Sequence, residues 1–276
     1  MAGCHAVVEQ VTSVDDPRVS CYRNLKDREL ARLGDLFVAE GEHVVRRLLD
    51  SDYPTESVLL AERRVTEIAP VVPAGIPVYA APDEVMRQIV GFKFHSGMLA
   101  VGRRKPPAPL EAVIRPPPRP LTIVACSEIA NAENMGAIVR ISAAFGADAL
   151  VLGERCCDPF LRQAVRVSMG TIFRLPLVRS PNLLGDLRRL REEFGVQLAA
   201  TVLSDDAEPL DHAARPARLG LLFGNEAQGL DAPELQACDR RITIPMKLGT
   251  DSLNVAVAAA VFLYHFTKET VLRTEF

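Results

Sequence analysis

Three polar, glycine-bearing segments in the second half of the chain carry residue types suited to holding a ligand. The first is Asn131-Ala132-Glu133-Asn134-Met135-Gly136, with Arg140 following within the next two helical turns. Asn134 suits a helix N-cap, Gly136 permits close backbone approach, and an arginine beside a helix start suits a phosphate or other anion. The second is Phe223-Gly224-Asn225-Glu226-Ala227-Gln228-Gly229-Leu230, where an apolar run ends in glycine and a carboxylate follows two residues on. Its two glycines stand five apart with no third, so it is not a dinucleotide fingerprint. The third is Ile244-Pro245-Met246, then Ser252-Leu253-Asn254, then an Ala/Val-rich stretch. Ser252 suits a cap for that stretch, and Asn254 on an otherwise apolar helix needs partners for its amide. Taken singly, each also reads as ordinary structure: a cap with a surface ion pair, a tight turn, a capped core helix.

These segments need a scaffold, and the second half reads as a regular α/β series. Strand-like runs at 121–126, 149–152, 197–202, 219–223 and 242–244 alternate with helical patterns at 135–145, 160–169, 182–194, 232–237 and 253–267. Continuous apolar strands with intervening helices indicate a parallel sheet covered on both faces. Ligands of such sheets bind at the carboxyl ends of strands, which is where all three segments fall. Residues 103–120 hold seven prolines, so neither helix nor central strand runs through them. They divide the chain into an N-terminal domain, 1–103, a linker, 104–120, and a C-terminal domain, 121–276. The first domain reads as a small α/β domain, with strands at 37–39, 57–60, 78–80 and 98–101 and helices at 19–33, 42–50 and 82–89. Its basic start, Arg18, Arg23, Lys26, Arg28 and Arg32, is either a solvated face or an RNA contact.

Bulk composition narrows the classes. Of 276 residues 48% are hydrophobic and the formal net charge is −3, which excludes a disordered chain and requires any nucleic-acid surface to be a local patch. Six cysteines, Cys4, Cys21, Cys126, Cys156, Cys157 and Cys238, lack zinc-ligand spacing with the five histidines and read as small buried hydrophobes rather than a metal site. The N-terminus lacks a signal-peptide pattern. The longest apolar stretch, 253–266, is shorter than the roughly 18 residues a membrane helix needs. A soluble, cytoplasmic protein is expected, with no membrane partner and no metal.

In this order on one sheet, the three segments resemble the motifs of the SpoU/TrmH family of RNA ribose methyltransferases, in the SPOUT superfamily. Asn134, Gly136 and Arg140 match the first motif. Gly224, Glu226 and Gly229 match the second, and Ile244, Pro245, Ser252, Leu253 and Asn254 the third. The likeness extends through Asp158-Pro159 and Val165-Arg166-Val167-Ser168-Met169-Gly170. The N-terminal half looks like the family's RNA-binding domain at Phe37-Val38-Ala39-Glu40-Gly41 and His95-Ser96-Gly97-Met98-Leu99-Ala100.

The resemblance implies an α/β fold whose C-terminal methyltransferase domain is a trefoil-knotted parallel sheet, a rare exception to chain-topology rules, preceded by a small α/β RNA-binding domain. It implies S-adenosyl-L-methionine as cofactor, held around Thr201, Leu203, Gly224, Ile244, Met246 and Leu253. It further implies a homodimer through the C-terminal domain and methylation of a ribose 2′-hydroxyl. Asn134, Arg140, Glu226, Ser252 and Asn254 would be catalytic, with Glu226 pairing with or orienting Arg140. RNA would contact Arg18, Arg23, Lys26, Arg28, Arg32 and Arg166. The separate domain with its basic start favours ribosomal over transfer RNA. The chain departs from the family where an acidic residue usually follows the first strand and Asp-Pro precedes the motif asparagine. Ser127, Asn131 and Ala132 stand there. The alternatives are a non-catalytic RNA-binding or ribosome-assembly protein of the same fold, or an unrelated nucleotide-binding α/β enzyme, for which no Gly-x-x-x-x-Gly-Lys-Ser/Thr loop is present.

Overall fold

A computed structural model describes residues 7–23, 35–91, 96–247 and 252–271. The chain forms two units. One comprises Met1–Pro106 with Pro159–Phe173, the other Pro107–Asp158 with Arg174–Phe276.

The first unit is built on a mixed five-stranded sheet of order β1-β4-β3-β5-β2. Its strands are β1 (Val8–Gln10), β2 (Leu36–Glu40), β3 (Thr55–Ala61), β4 (Val78–Ala81) and β5 (Met98–Arg103). β1, β4 and β3 run parallel, while β5 lies antiparallel between β3 and β2. Helices α1 (Glu42–Leu49) and α2 (Asp83–Val90) each bury one apolar stripe, Val44, Val45 and Leu48 in α1 and Met86, Ile89 and Val90 in α2. β1 escapes sequence reading because it is a three-residue edge strand with a polar face. The helix expected over 19–33 begins instead as a 3₁₀ turn, Pro17–Tyr22, capped by the Asp16 side chain. Residues 24–34 lie outside the described residues.

The sequence pattern also assigns Pro159–Phe173 wholly to the C-terminal domain, yet its side chains belong to the first unit's core. The Phe37 ring lies 5.1 Å from that of Phe160 and 5.5 Å from that of Phe173. Arg162, at the start of a short helix (Arg162–Val167), donates to the buried Glu40 carboxylate at 2.6 Å. Arg47 donates to the Met169 carbonyl at 2.5 Å. A buried carboxylate needs a cation and an aromatic edge needs cover, and this segment supplies both.

The second unit carries a seven-stranded sheet of order β10-β12-β9-β11-β6-β7-β8, every pair parallel. β6 (Leu121–Cys126), β7 (Ala149–Leu152), β9 (Gln197–Thr201), β11 (Arg218–Phe223) and β12 (Arg240–Thr243) fall where apolar runs place them. β8 (Leu177–Arg179) and β10 (Glu208–Pro209) are short edge strands without such a run. Every residue of β6 and β11 is buried, as a sheet covered on both faces requires. The helices are α3 (Ala132–Ala144), α4 (Leu183–Glu192), α5 (Ala232–Ala237) and α6 (Val255–Val271), and a single helical turn, Leu110–Val113, forms between the two proline clusters of the stretch expected to hold no helix, burying Leu110. Leu183, Leu187 and Leu190 of α4 pack with Ile123, Val151 and Leu198 from one sheet face. Among the described residues no helix is long and apolar enough to cross a membrane.

One buried cation ties the proline-rich stretch to this sheet. The Arg218 guanidinium, at the start of β11, donates to the carbonyls of Phe194 and Arg115 at 2.6 Å each, and to that of Arg119. Burial pushes its pKa down. Arg218→Met keeps the apolar stem but strands these acceptors, so we expect a loss of about 2–3 kcal/mol, read from urea unfolding followed by circular dichroism.

Candidate active site

The carboxyl ends of β9, β11 and β12 open onto a cleft of about 630 Å³, within the range of small-ligand sites. Three of its walls are the segments singled out above. Phe223 ends β11, and Gly224 follows where the chain must cross itself. A Cβ there would sit 2.4 Å from the Gly229 carbonyl carbon and 2.7 Å from the Leu230 nitrogen. Asn225 and Gly229 close the loop with reciprocal backbone bonds of 3.0 and 2.9 Å, and Gly229 takes φ +72°. The Asn225 side chain accepts from the backbone nitrogens of Ala227 and Gln228. This tight ring presents Glu226 at its tip.

Glu226 meets the other two segments through a chain of side-chain amides. Asn134 donates from Nδ2 to Glu226 Oε1 at 3.1 Å, and its Oδ1 accepts from Asn254 Nδ2 at 2.9 Å. Sequence separations of 92 and 120 residues are thus spanned by two hydrogen bonds. Both asparagines differ from their expected local roles. Asn131, not Asn134, caps α3, its Oδ1 accepting from Glu133 and Asn134 at 2.7 and 3.1 Å. Asn134 lies inside the first turn, and its side chain is free to reach across. Asn254, not Ser252, caps α6, accepting from Ala256 at 2.9 Å and Val257 at 3.3 Å. The Asn254 amide finds its partners by capping with its oxygen and bridging with its nitrogen.

The cleft lining contains Asn134, Glu226, Ser252 and Asn254, and also Thr201, Leu203, Gly224, Ile244, Met246 and Leu253. Arg140 is not brought there. It lies six residues beyond Asn134, about 120° away around α3, and is exposed. Glu226 pairs with Asn134, not with Arg140, the partner that the resemblance implied. The sequence pattern does not mark Leu235, Phe262 and Arg241, which also line the cleft. The two apolar ones look like core in any pattern, and Arg241 sits in a strand without a motif.

Of the basic residues expected at RNA, Arg18 is held by Asp16 at 2.5 Å and Glu9 at 2.6 Å, and stacks over the Tyr79 ring. The Arg18 guanidinium in turn holds Asp16 down at about 2. Arg23 pairs with Asp15 at 3.1 Å. Arg166 keeps an exposed head, 3.9 Å from Glu40. Lys26, Arg28 and Arg32 lie outside the described residues. Cys126 and Cys156 are buried, and desolvation pushes both thiols up.

The sequence model of the SpoU rRNA Methylase family matches residues 121–264. The chain belongs to the SpoU rRNA methylase family. It is 36% identical to an uncharacterized tRNA/rRNA methyltransferase of Mycobacterium tuberculosis, covering 95% of this chain and 92% of the relative. It is 28% identical to RlmP of Bacillus subtilis, a 23S rRNA (guanosine(2553)-2′-O)-methyltransferase, over 94% and 99% of the two chains. Among solved structures, the AdoMet-bound rRNA methyltransferase of Sinorhizobium meliloti superposes with a TM-score of 0.82 at 27% identity, covering 95% of this chain and 98% of that one.

Two variants separate the duties of Asn254. Asn254→Ala removes cap and bridge together and costs about 1 kcal/mol of stability. Asn254→Asp keeps the capping oxygen, so the melting temperature holds, while the donor to Asn134 is lost. Thermal unfolding of both against wild type checks this.

Proposed function

We propose that the protein is a ribose 2′-O-methyltransferase that uses S-adenosyl-L-methionine and acts in the cytoplasm on ribosomal RNA. The observation that carries this reading is the convergence of Asn134, Glu226 and Asn254 on one cleft that they line together with apolar side chains. The residues present fit the cofactor. Leu203 is 63% exposed, an open apolar side chain that lines the cleft with Ile244, Met246 and Leu253, suited to a purine and to the carbon chains on a sulfonium. The lining among the described residues carries one cation, Arg241, and one carboxylate, Glu226, so the cleft is not built for a polyphosphate. S-adenosyl-L-methionine, when bound, supplies an electrophilic methyl group.

The chain's own part is placement and charge. Glu226 and Asn254 lock the Asn134 amide, which keeps one N–H to orient a ribose oxygen. The Arg140 guanidinium is a cation, suited to clamp an RNA phosphate and to stabilise charge growing on the attacking oxygen. The hydroxyl proton leaves to water or a phosphate oxygen.

Arg140 stands outside the cleft of its own copy, so we place it at the cleft of a second copy in a homodimer. Val257, Val261 and Tyr264 form an exposed stripe along α6, spaced four and three residues apart and so on one face. Tyr264 packs edge-on against Phe145 at the end of α3, with ring centroids 6.3 Å apart, so the stripe adjoins Arg140's helix. Such a stripe is an unusual exposure for an isolated monomer. The trefoil knot belongs to the same reading. It is supported by family membership and by β12 pairing with β9 before α6 returns to pack on α3. The first unit would choose the RNA, through Arg166 and the basic start.

Calorimetry with S-adenosyl-L-methionine and tritium transfer to ribosomal RNA test this directly. We expect binding, and 2′-O-methyl product in the RNA digest. Binding without transfer favours the non-catalytic alternative. Arg140→Ala is expected to lower transfer at least about a hundredfold with cofactor binding intact. Val257→Asp with Tyr264→Asp is expected to halve the mass seen by light scattering and to abolish transfer.

A further inference from the structure

Beneath the cleft lies a second polar cluster, built on the residue where the chain departs from its family. Ser127, just past β6, is 2% exposed, and Glu234 in α5 is 3% exposed. The Ser127 hydroxyl donates to Glu234 Oε1. Arg155, just past β7, donates from Nη2 to the same carboxylate oxygen at 2.9 Å and to Ser127 Oγ at 3.1 Å. Glu234 Oε2 accepts from the Asp231 nitrogen at 2.9 Å, and Asp231 Oδ1 accepts from the Glu234 nitrogen at 3.0 Å, closing a capping box on α5. Arg155 also lies 3.3 Å from Glu128 and 3.6 Å from Asp231.

The cluster joins three strand ends. Ser127 and Glu128 begin the loop that ends in Asn134. Asp231 ends the loop that carries Glu226, and Leu235, next to Glu234, lines the cleft. Fixing Ser127 to Glu234 therefore fixes the two loops whose tips meet in the 3.1 Å Asn134–Glu226 bond. A buried carboxylate with one cation and two further donors is satisfied, and a second carboxylate set directly against it at 127 would repel it. A serine at 127 donates to the Glu234 carboxylate where an ionised aspartate would have no proton to give, so the serine suits Glu234.

We infer that Arg155, Glu234 and Ser127 are positioning residues that set the relative placement of the Asn134 and Glu226 loops, and that Glu234 supplies the buried carboxylate on which this clamp closes. None of the three touches the cleft lining; they act through the loops. The inference rests on the methyl-transfer reading for its kinetic readout but not for its structural one.

The test uses the full chain and three variants. Glu234→Gln can keep the capping box, since glutamine serves at that position, and removes the charge and one accepting oxygen. Arg155→Met removes the cation. Ser127→Asp combined with Glu234→Gln returns one carboxylate from the other side. Misplacing the loops by a fraction of an ångström is expected to lower kcat about ten- to a hundredfold in Glu234→Gln and in Arg155→Met, with KM for RNA near wild type. The double variant is expected to recover most of that loss, which a merely structural role would not produce. In the same proteins, amide exchange at 127–134 and at 224–231 is expected to quicken together by about tenfold in Arg155→Met and to slow again in the double variant. Wild-type kcat in both single variants, or no recovery in a folded double variant, overturns the inference. If the wild-type protein transfers no methyl group, the functional reading fails instead, and the exchange rates alone decide the clamp: unchanged exchange in both loops overturns it.

Discussion

Parallel pairing of β11 with β6 on one side and β9 on the other is the constraint from which the site follows. Parallel strands in register end together, so Cys126, Phe223 and Thr201 lie along one edge of the sheet. The chain leaving each strand enters the same small volume. Loops starting from a common edge need only short excursions to meet, and the Asn134–Glu226–Asn254 bridge is such a meeting. An antiparallel arrangement would send alternate loops to opposite ends and leave each polar segment alone.

That constraint also explains how much was legible in the residues. β6, β7, β9 and β11 carry continuous apolar runs because both faces are covered, and such runs stand out, whereas β12 reads Arg240-Arg241-Ile242-Thr243 and shows only its Ile242. β1, β8 and β10 are short edges, where one side of the strand answers to solvent and the pattern fades. Motif positions were legible as chemistry because Asn, Glu and Gly after an apolar run have no packing role. Their partners were not. Asn134 and Asn131 are both good caps by type, and only the coordinates show that Asn131 takes the cap and leaves Asn134 to reach Glu226. The same holds for Ser252 and Asn254. Arg140's distance from the cleft depends on helical phase, and the pairing of Glu226 depends on loop closure through Asn225. Neither is written in spacing.

Backbone geometry and side-chain function are coupled closely at this edge. Gly224 has no room for a Cβ because the loop doubles back to Gly229, and that return is what raises Glu226 to its tip. Asn254 stabilises the start of α6 with one atom and holds Asn134 with another. Substituting such residues changes stability and site geometry at once, unless the replacement keeps one atom's role and drops the other's.

The placement of Pro159–Phe173 in the first unit bears on how the protein can be divided. The polypeptide passes between the units after Pro106, after Asp158 and after Phe173, so the two bodies are interlaced along the chain rather than strung in series. Cutting at the proline-rich stretch would leave Phe160 and Phe173 without the Phe37 ring and Glu40 without its arginine. The C-terminal fragment would then carry a greasy, unpartnered insert, and the N-terminal fragment an uncompensated buried charge. Over evolutionary time the same interlacing discourages shuffling: a recombination event at the linker would deliver half of a fitted pair, so the two units are expected to have been inherited together.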